Sequence, residues 1–242
     1  MKVLSYNIRE GGGGRLPDLA TLIRRQRPDA VALLEATSRA NAEALARELG
    51  MQLAFGEANC ACHVAWLSRW PIRRWENHRH AALAKTLLEL EVAWAGVPLR
   101  LFATHLASRH ERPEPADEIP VILGLFAPLT EQPHLLAGDF NALRPGDPVG
   151  DPPPGVALRG DAVDGAPRRA IGQRLDAGYV DCYRALHPRA PGYTYPAGAP
   201  WLRLDYVFAS PRLAGRLAAC EVVTGAAVAR ASDHYPLRAV FR

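Results

Sequence analysis

The stretch KVLSYNIREGGGGRLPDLATLIRRQRPDAVALLE, residues 2–35, sets the fold class. Lys2–Ile8 reads as a strand and Gly11–Gly14 as a flexible turn. Over Pro17–Arg27, Leu19, Leu22 and Ile23 recur at helical spacing, and Pro17 stands near the start, where a missing N–H costs least. Ala30–Leu34 is a short apolar run that fits a buried strand, and Glu35 follows it directly. The alternation continues. Ser38 caps a helix running to Leu49, with Gly50 as its stop. Val64–Ser68, Thr86–Trp94 and Val97–His105 read as strands, with Gly96-Val97-Pro98 marking the turn between the last two. Glu118–Leu129 has helical apolar spacing, and His134–Gly138 reads as a buried strand. Asn141–Arg169, rich in proline and glycine, reads as a loop. Arg203–Ala209, Leu213–Val223 and Leu237–Phe241 close the chain as strands. Many strands and a few helices in mixed order predict an α+β or layered α/β domain.

Composition sets the outer bounds. At 242 residues with 48% hydrophobic and 22% charged, the chain can bury a core without disulfide or metal staples and is no disordered segment. No apolar run reaches the roughly 18–20 residues of a membrane span, and the N-terminus lacks a leader pattern. These features predict a soluble, unprocessed, cytoplasmic monomer. Cys60 and Cys62 form a C-x-C next to His63, but no second pair completes a zinc site, so all four cysteines read as free thiols. The net charge is +4, and Lys2 and Lys85 are the only lysines, so 27 of the 29 basic residues are Arg. Arginine suits phosphate through its planar fork. A coding bias toward Arg, Ala, Pro and Gly accounts for the same count, so the charge alone says little about a polyanionic partner.

The chemistry is carried at strand ends. Asn7 ends the first strand, Glu35 follows the second, and His105 ends Ala103-Thr104-His105. Asp139 and Asn141 stand in Gly138-Asp139-Phe140-Asn141, Asp205 in Arg203-Leu204-Asp205-Tyr206, and Asp233 with His234 just before the last strand. Singly, each is more often a turn former or a satisfied polar residue. Recurrence at several strand ends points to one crevice, because strand ends of layered α/β proteins converge where ligands bind. Two residues apart, Asp139 and Asn141 face the same way if the segment is extended. Glu35, Asp139, Asp205 and Asp233 supply hard oxygens suited to Mg²⁺ or Mn²⁺. The histidines and asparagines supply donors for a developing oxyanion. No nucleophile elbow or phosphate loop is present. Metal-assisted hydrolysis of a phosphate ester by water uses all these parts.

The order of motifs resembles the endonuclease/exonuclease/phosphatase superfamily: S-Y-N-I-R from Ser5, Glu35 after its strand, L-S-R-W-P-I at Leu67–Ile72, T-H-L at Thr104, G-D-F-N at Gly138, R-L-D-Y-V-F at Arg203 and S-D-H-Y-P at Ser232. The resemblance covers nearly the whole chain and implies a single domain over residues 1–242. Its fold would be a four-layer α/β sandwich of two packed mixed β-sheets flanked by helices. It also implies roles. Glu35 would be the main Mg²⁺ (or Mn²⁺) ligand, with Asn7 and Asp233 supporting it. Asp139 would position or deprotonate the attacking water, and Asn141 would bind phosphate oxygens. His234, oriented by Asp205, would act as general base or transition-state stabiliser, and His105 would contact the phosphate. Arg9 and Arg109 are the substrate-binding candidates, within a wider set of Arg73, Arg74, Arg112, Arg168, Arg169 and Arg174 that would track a nucleic acid backbone. Arg9 and His105 stand where abasic-site endonucleases carry other residues, which points toward general phosphodiesterase members. The leading expectation is a nuclease acting on DNA or RNA. The alternative is a phosphomonoesterase or a sphingomyelinase-like lipid-headgroup phosphodiesterase. Tyr195 and Trp201, near Asp205, could stack on a base or pack in the core, and core packing is the expectation.

Overall fold

The computed structural model describes residues 1–108, 111, 113–152 and 166–242. The opening stretch forms strand β1 (Lys2–Asn7), helix α1 (Leu16–Gln26) and strand β2 (Ala30–Leu34). β2 lies parallel to β1, with Asn7 beside Leu34. Helix α2 (Arg39–Leu49) starts where Ser38 accepts a hydrogen bond from the Asn41 N–H at 3.2 Å. It stops at Gly50, whose φ of +63° is left-handed. Strands β3 (Gln52–Gly56), β4 (Val64–Ser68), β5 (Arg74–His78), β6 (Leu87–Trp94) and β7 (Val97–His105) follow. Helix α3 (Pro115–Phe126) then crosses to β8 (His134–Asp139), which runs parallel to β7. The remaining elements are α4 (Ala166–Asp176), β9 (Val180–Asp181), α5 (Cys182–Leu186), β10 (Asp205–Ala209), α6 (Pro211–Ala214), β11 (Leu217–Val222), α7 (Ala226–Ala231) and β12 (Leu237–Phe241).

The strands form two mixed six-stranded sheets, ordered β11-β12-β1-β2-β4-β3 and β5-β6-β7-β8-β10-β9. Alternation along each strand feeds two layers at once. Val3, Ala32 and Trp66 meet Leu90, Leu101 and Val207 in the core between the sheets. Their neighbours Leu4, Leu33 and Leu67 pack outward on Leu19, Ile23 and Leu45 of α1 and α2. Phe102, Leu136 and Phe208 pack outward on Ile119, Ile122 and Phe126 of α3 and Ile171 of α4. The result is the helix–sheet–sheet–helix sandwich that the resemblance implies. No described helix is long and apolar enough to cross a membrane.

Local expectations needed correction in four places. The β6–β7 turn is Ala95-Gly96, with φ of 51° and 81°, while Val97 and Pro98 already pair with Trp94 and Ala93. Two consecutive positive φ values match the twist of a tight hairpin, so the chain reverses one residue earlier than the proline suggests. Leu213–Val223 is not one strand. Pro211 opens the short α6, and β11 begins only at Leu217. The 141–169 loop ends early, because α4 starts at Ala166. The glycine run is not a free turn either. The Gly11 N–H donates to the Glu35 carbonyl at 2.7 Å, and a Cβ on Gly11 would stand 2.5 Å from Thr37 Oγ1.

Candidate active site

Strand pairing brings the polar ends together. β1 and β2 run parallel, so Asn7 and Glu35 leave the first sheet at the same end. In the second sheet His105 pairs with Asp139 in parallel, and Asp205, the first residue of the antiparallel β10, also pairs with Asp139. β12 is antiparallel to β1, with Leu237 beside Ser5, so Ser232–Pro236 arrives at that same end.

Asp139 is the centre of the site. It is 1% exposed, and its Oδ2 lies 3.6 Å from His105 Nε2, 3.6 Å from His234 Nε2 and 3.1 Å from Asn7 Nδ2. The same Asn7 amide nitrogen donates to Glu35 Oε1 at 3.0 Å, linking a carboxylate of one sheet to a carboxylate of the other. Asn7 Oδ1 accepts from the Arg9 N–H, and Glu35 Oε2 from the Glu10 N–H, both at 3.0 Å. Asp139 and Asn141 do not face the same way along an extended segment. Asp139 Oδ1 accepts the Asn141 N–H at 2.9 Å, an Asx turn with Asn141 at φ 46°. This turn aims Asn141 Nδ2 at His105 Nε2 (3.1 Å) and at the Leu106 carbonyl (3.0 Å). Four non-glycine residues of the site, Arg9, Glu10, Glu35 and Asn141, hold positive φ. Such strain gathers where surrounding structure fixes a functional geometry.

Asp205 Oδ2 binds His234 Nδ1 at 2.9 Å, leaving Nε2 turned toward Asp139. Burial by itself would pull the His234 imidazole down, but the Asp205 and Asp139 carboxylates outweigh it and hold it up at about 10. For His105 burial wins over Asp139 and pushes the ring down to about 4, so it is neutral at pH 7. Burial also raises the Asp139 carboxyl above its usual range, against the pull of both imidazoles.

Of the supporting residues, Thr194 had no sequence signal, and Ser232 stood only as the first residue of its motif. Thr194 Oγ1 accepts the N–H groups of Leu204 and Asp205 and fixes the start of β10. Ser232 Oγ donates to the Asn7 carbonyl at 2.6 Å and accepts from the His234 N–H. Tyr195 and Trp201 are half-buried rather than core residues, and the Tyr195 ring lies 4.8 Å from the His234 ring. Asp233 sits on the rim, with Oδ2 3.9 Å from Arg9 Nε. Arg109 and Arg112 lie outside the described residues. Arg174 is no phosphate contact: it is fully buried, with its guanidinium 3.7 Å from the Tyr179 ring centroid.

Among the described residues, two groups bring three potential metal ligands together: Asp139, Asp205 and His234, and Glu76, His78 and Glu89. The second is already matched by Arg74 on Glu76 and Arg100 on Glu89. None of the cysteines belongs to either group, and all four are free. In the first group the 2.9 Å Asp205–His234 contact is an acid–imidazole dyad. Asp139 of that group, and Glu35, tied to it through the Asn7 amide, are carboxylates that could hold a divalent cation.

Residues 4–234 match the endonuclease/exonuclease/phosphatase family. The chain belongs to that family. Membership makes it a hydrolytic phosphoesterase. No curated protein matches the chain. Solved structures similar to it include an AP endonuclease from Archaeoglobus fulgidus (TM-score 0.75, 22% identity, covering 100% of this chain and 99% of that one). Another is the 3′ phosphatase NExo from Neisseria bound to a product DNA hairpin (0.72, 23%, 100% and 99%). A third is a mannosyl-6-phosphatase from Bacteroides thetaiotaomicron (0.73, 15%, 100% and 99%). At these identities the likeness is one of fold, and the endonuclease/exonuclease/phosphatase sandwich accommodates diester and monoester substrates alike.

Proposed function

We propose that this protein is a Mg²⁺- or Mn²⁺-dependent phosphodiesterase that cleaves nucleic acid by attack of water. The observation that carries the reading is Asp139, flanked by two imidazole Nε2 atoms at 3.6 Å and tied through Asn7 to Glu35. Glu35 and Asp139 would hold the cation, with Asp233 on the same rim and Asn7 fixing both carboxylates. When bound, the cation supplies Lewis-acid charge to a phosphoryl oxygen and makes water more acidic.

The chain's own groups do the rest. Asp139, 3.6 Å from His234 Nε2 and held by the Asn7 amide, is the carboxylate placed to take the proton of the attacking water. His234, charged at neutral pH, presents Nε2–H to the phosphoryl oxygen that gains charge, while Asp205 fixes its tautomer. Both Asn141 Nδ2 hydrogens are engaged, by His105 Nε2 and the Leu106 carbonyl, so Asn141 would donate to the phosphate by giving up the His105 contact. His105 Nε2 is engaged by the Asn141 amide, so we assign His105 the task of orienting that amide. Arg9, with a 54% exposed side chain tethered to Asp233, is the rim cation placed to meet a flanking phosphate.

The test offers plasmid DNA, single strands, RNA, a phosphomonoester and sphingomyelin in parallel, with Mg²⁺, Mn²⁺ or EDTA. Cleavage of a polynucleotide that EDTA stops supports the reading. Turnover of the monoester or lipid alone overturns the nucleic-acid assignment. Asp139→Ala and His234→Ala should each lower kcat by about 10²–10⁴-fold with unchanged circular dichroism. Full activity in both variants removes the site.

A further inference from the structure

We propose that Lys85 is a positioning residue that sets the Asn141 amide and His105 from beneath the site. The idea rests on the phosphoesterase reading above. A chain that uses Arg at 27 of 29 basic positions keeps a lysine here and buries it to 2% exposure. A buried ammonium needs acceptors, and among the described residues this one has two: the Leu106 carbonyl at 3.2 Å and Glu111 Oε2 at 2.5 Å.

The Leu106 carbonyl is the shared element. It follows His105 in sequence and also accepts from Asn141 Nδ2 at 3.0 Å, the nitrogen that meets His105 Nε2 at 3.1 Å. The Leu106 N–H in turn donates to the Asp139 carbonyl at 2.9 Å. Lys85 therefore fixes the peptide group on which the Asn141 amide hangs. Glu118 braces the same segment from outside, accepting from the Ala84 N–H at 2.8 Å and the Ala107 N–H at 2.7 Å. It thus pins the residue before Lys85 to the residue after Leu106. A compact ammonium suits two acceptors in so small a space, whereas a guanidinium brings five N–H donors. The bland alternative is that Lys85 only anchors the Glu111 loop.

The experiment is a double-mutant cycle on a phosphoester that the wild-type protein cleaves. Lys85→Met should lower kcat by roughly 10- to 100-fold, the range expected when a reacting group is misplaced by about an ångström, with KM nearly unchanged. In the Asn141→Ala background the same change should add almost nothing, because coupled residues are non-additive. A full, additive loss in that background overturns the proposal. So does Glu111→Gln reproducing the Lys85→Met loss, which would reduce Lys85 to a loop anchor. An independent readout is the ¹⁵N side-chain signal of Asn141, assigned by its disappearance in Asn141→Ala. Lys85→Met should shift it, and an unmoved signal refutes the positioning role. Lys85→Gln, a neutral donor, serves for both readouts if Lys85→Met does not fold. It should lower kcat and shift the Asn141 signal relative to wild type, and a wild-type kcat with an unmoved signal refutes the positioning role. The spectroscopic arm needs no turnover, so it separates failure of this proposal from failure of the phosphoesterase reading.

Discussion

The Asp205–His234 pair sets the sharpest expectation for a single residue. The two carboxylates hold the buried imidazole at about 10, so the charged ring persists through neutral pH and is lost only as pH rises through that value. Removing the nearer negative charge lets burial pull the ring down. Asp205→Asn should therefore move the alkaline limb of kcat/KM to lower pH by about 1–3 pH units, the usual effect of one adjacent opposite charge. A limb in the same place as wild type would mean that His234 is not the group that titrates. The identity of such residues was legible in the sequence because hard-oxygen and imidazole donors recurred after apolar strands. Their individual geometry was not. The extended-segment argument for Asp139 and Asn141 failed because Asp139 is the last residue of β8, and its carboxylate captures the Asn141 N–H. Whether a strand ends at an Asp or runs past it depends on what the side chain finds to bond. Tyr195 was misplaced for a related reason: an aromatic beside a strand suits a core or a cleft equally.

Among the elements, β8 and β7 show how little slack positions the site. Gly138, just before Asp139, pairs with Thr104, just before His105. A Cβ added at Gly138 would stand 2.0 Å from the Thr104 carbonyl oxygen, an obstacle made of backbone that cannot rotate away. Gly138→Ala should cost about 3 kcal/mol or more, at or beyond the upper end for overpacking, and should reduce activity beyond that loss because both site residues ride on the displaced strands. Urea unfolding and turnover of the same sample measure the two effects, and wild-type stability would show that β7 and β8 do not approach as closely as described. The strands that carry the site were readable because each is a largely buried, largely apolar run. Three shorter or more polar elements were not. β5 reads Arg-Trp-Glu-Asn-His, an edge strand with an exposed face, and nothing in its apolar pattern marks it. β3 is a short edge strand, and α7 is six residues long, below the length at which periodicity can declare itself.

For the whole molecule, the Arg excess divides by location. Arg174 lies against Phe126, Tyr179 and Phe208, and burial lowers its guanidinium to about 10. Arg203 is locked between Asp147 and Asp181. Composition cannot tell such interior cations from Arg9 on the rim, which is why the charge was the least informative feature of the sequence. On the proposed reading, the carboxylates that would hold the cation come from different sheets, Glu35 from the end of the first and Asp139 from the second. The unfolded chain separates them, so a divalent cation that needs both binds only the folded state. Binding of that kind stabilises by about 2.7 kcal/mol at a hundredfold excess over Kd, or about 5–10 °C in Tm for a chain of this size. EDTA-treated protein titrated with Mg²⁺ or Mn²⁺ should therefore melt progressively higher, and Glu35→Gln should lose that increment. Its Tm in EDTA should stay near wild type, since Glu35 contributes a partly exposed carboxylate to an already acidic cluster. A wild-type Tm that ignores both cations, or a Glu35→Gln protein that still responds fully, would separate the two sheets' carboxylates and remove the cation from between them.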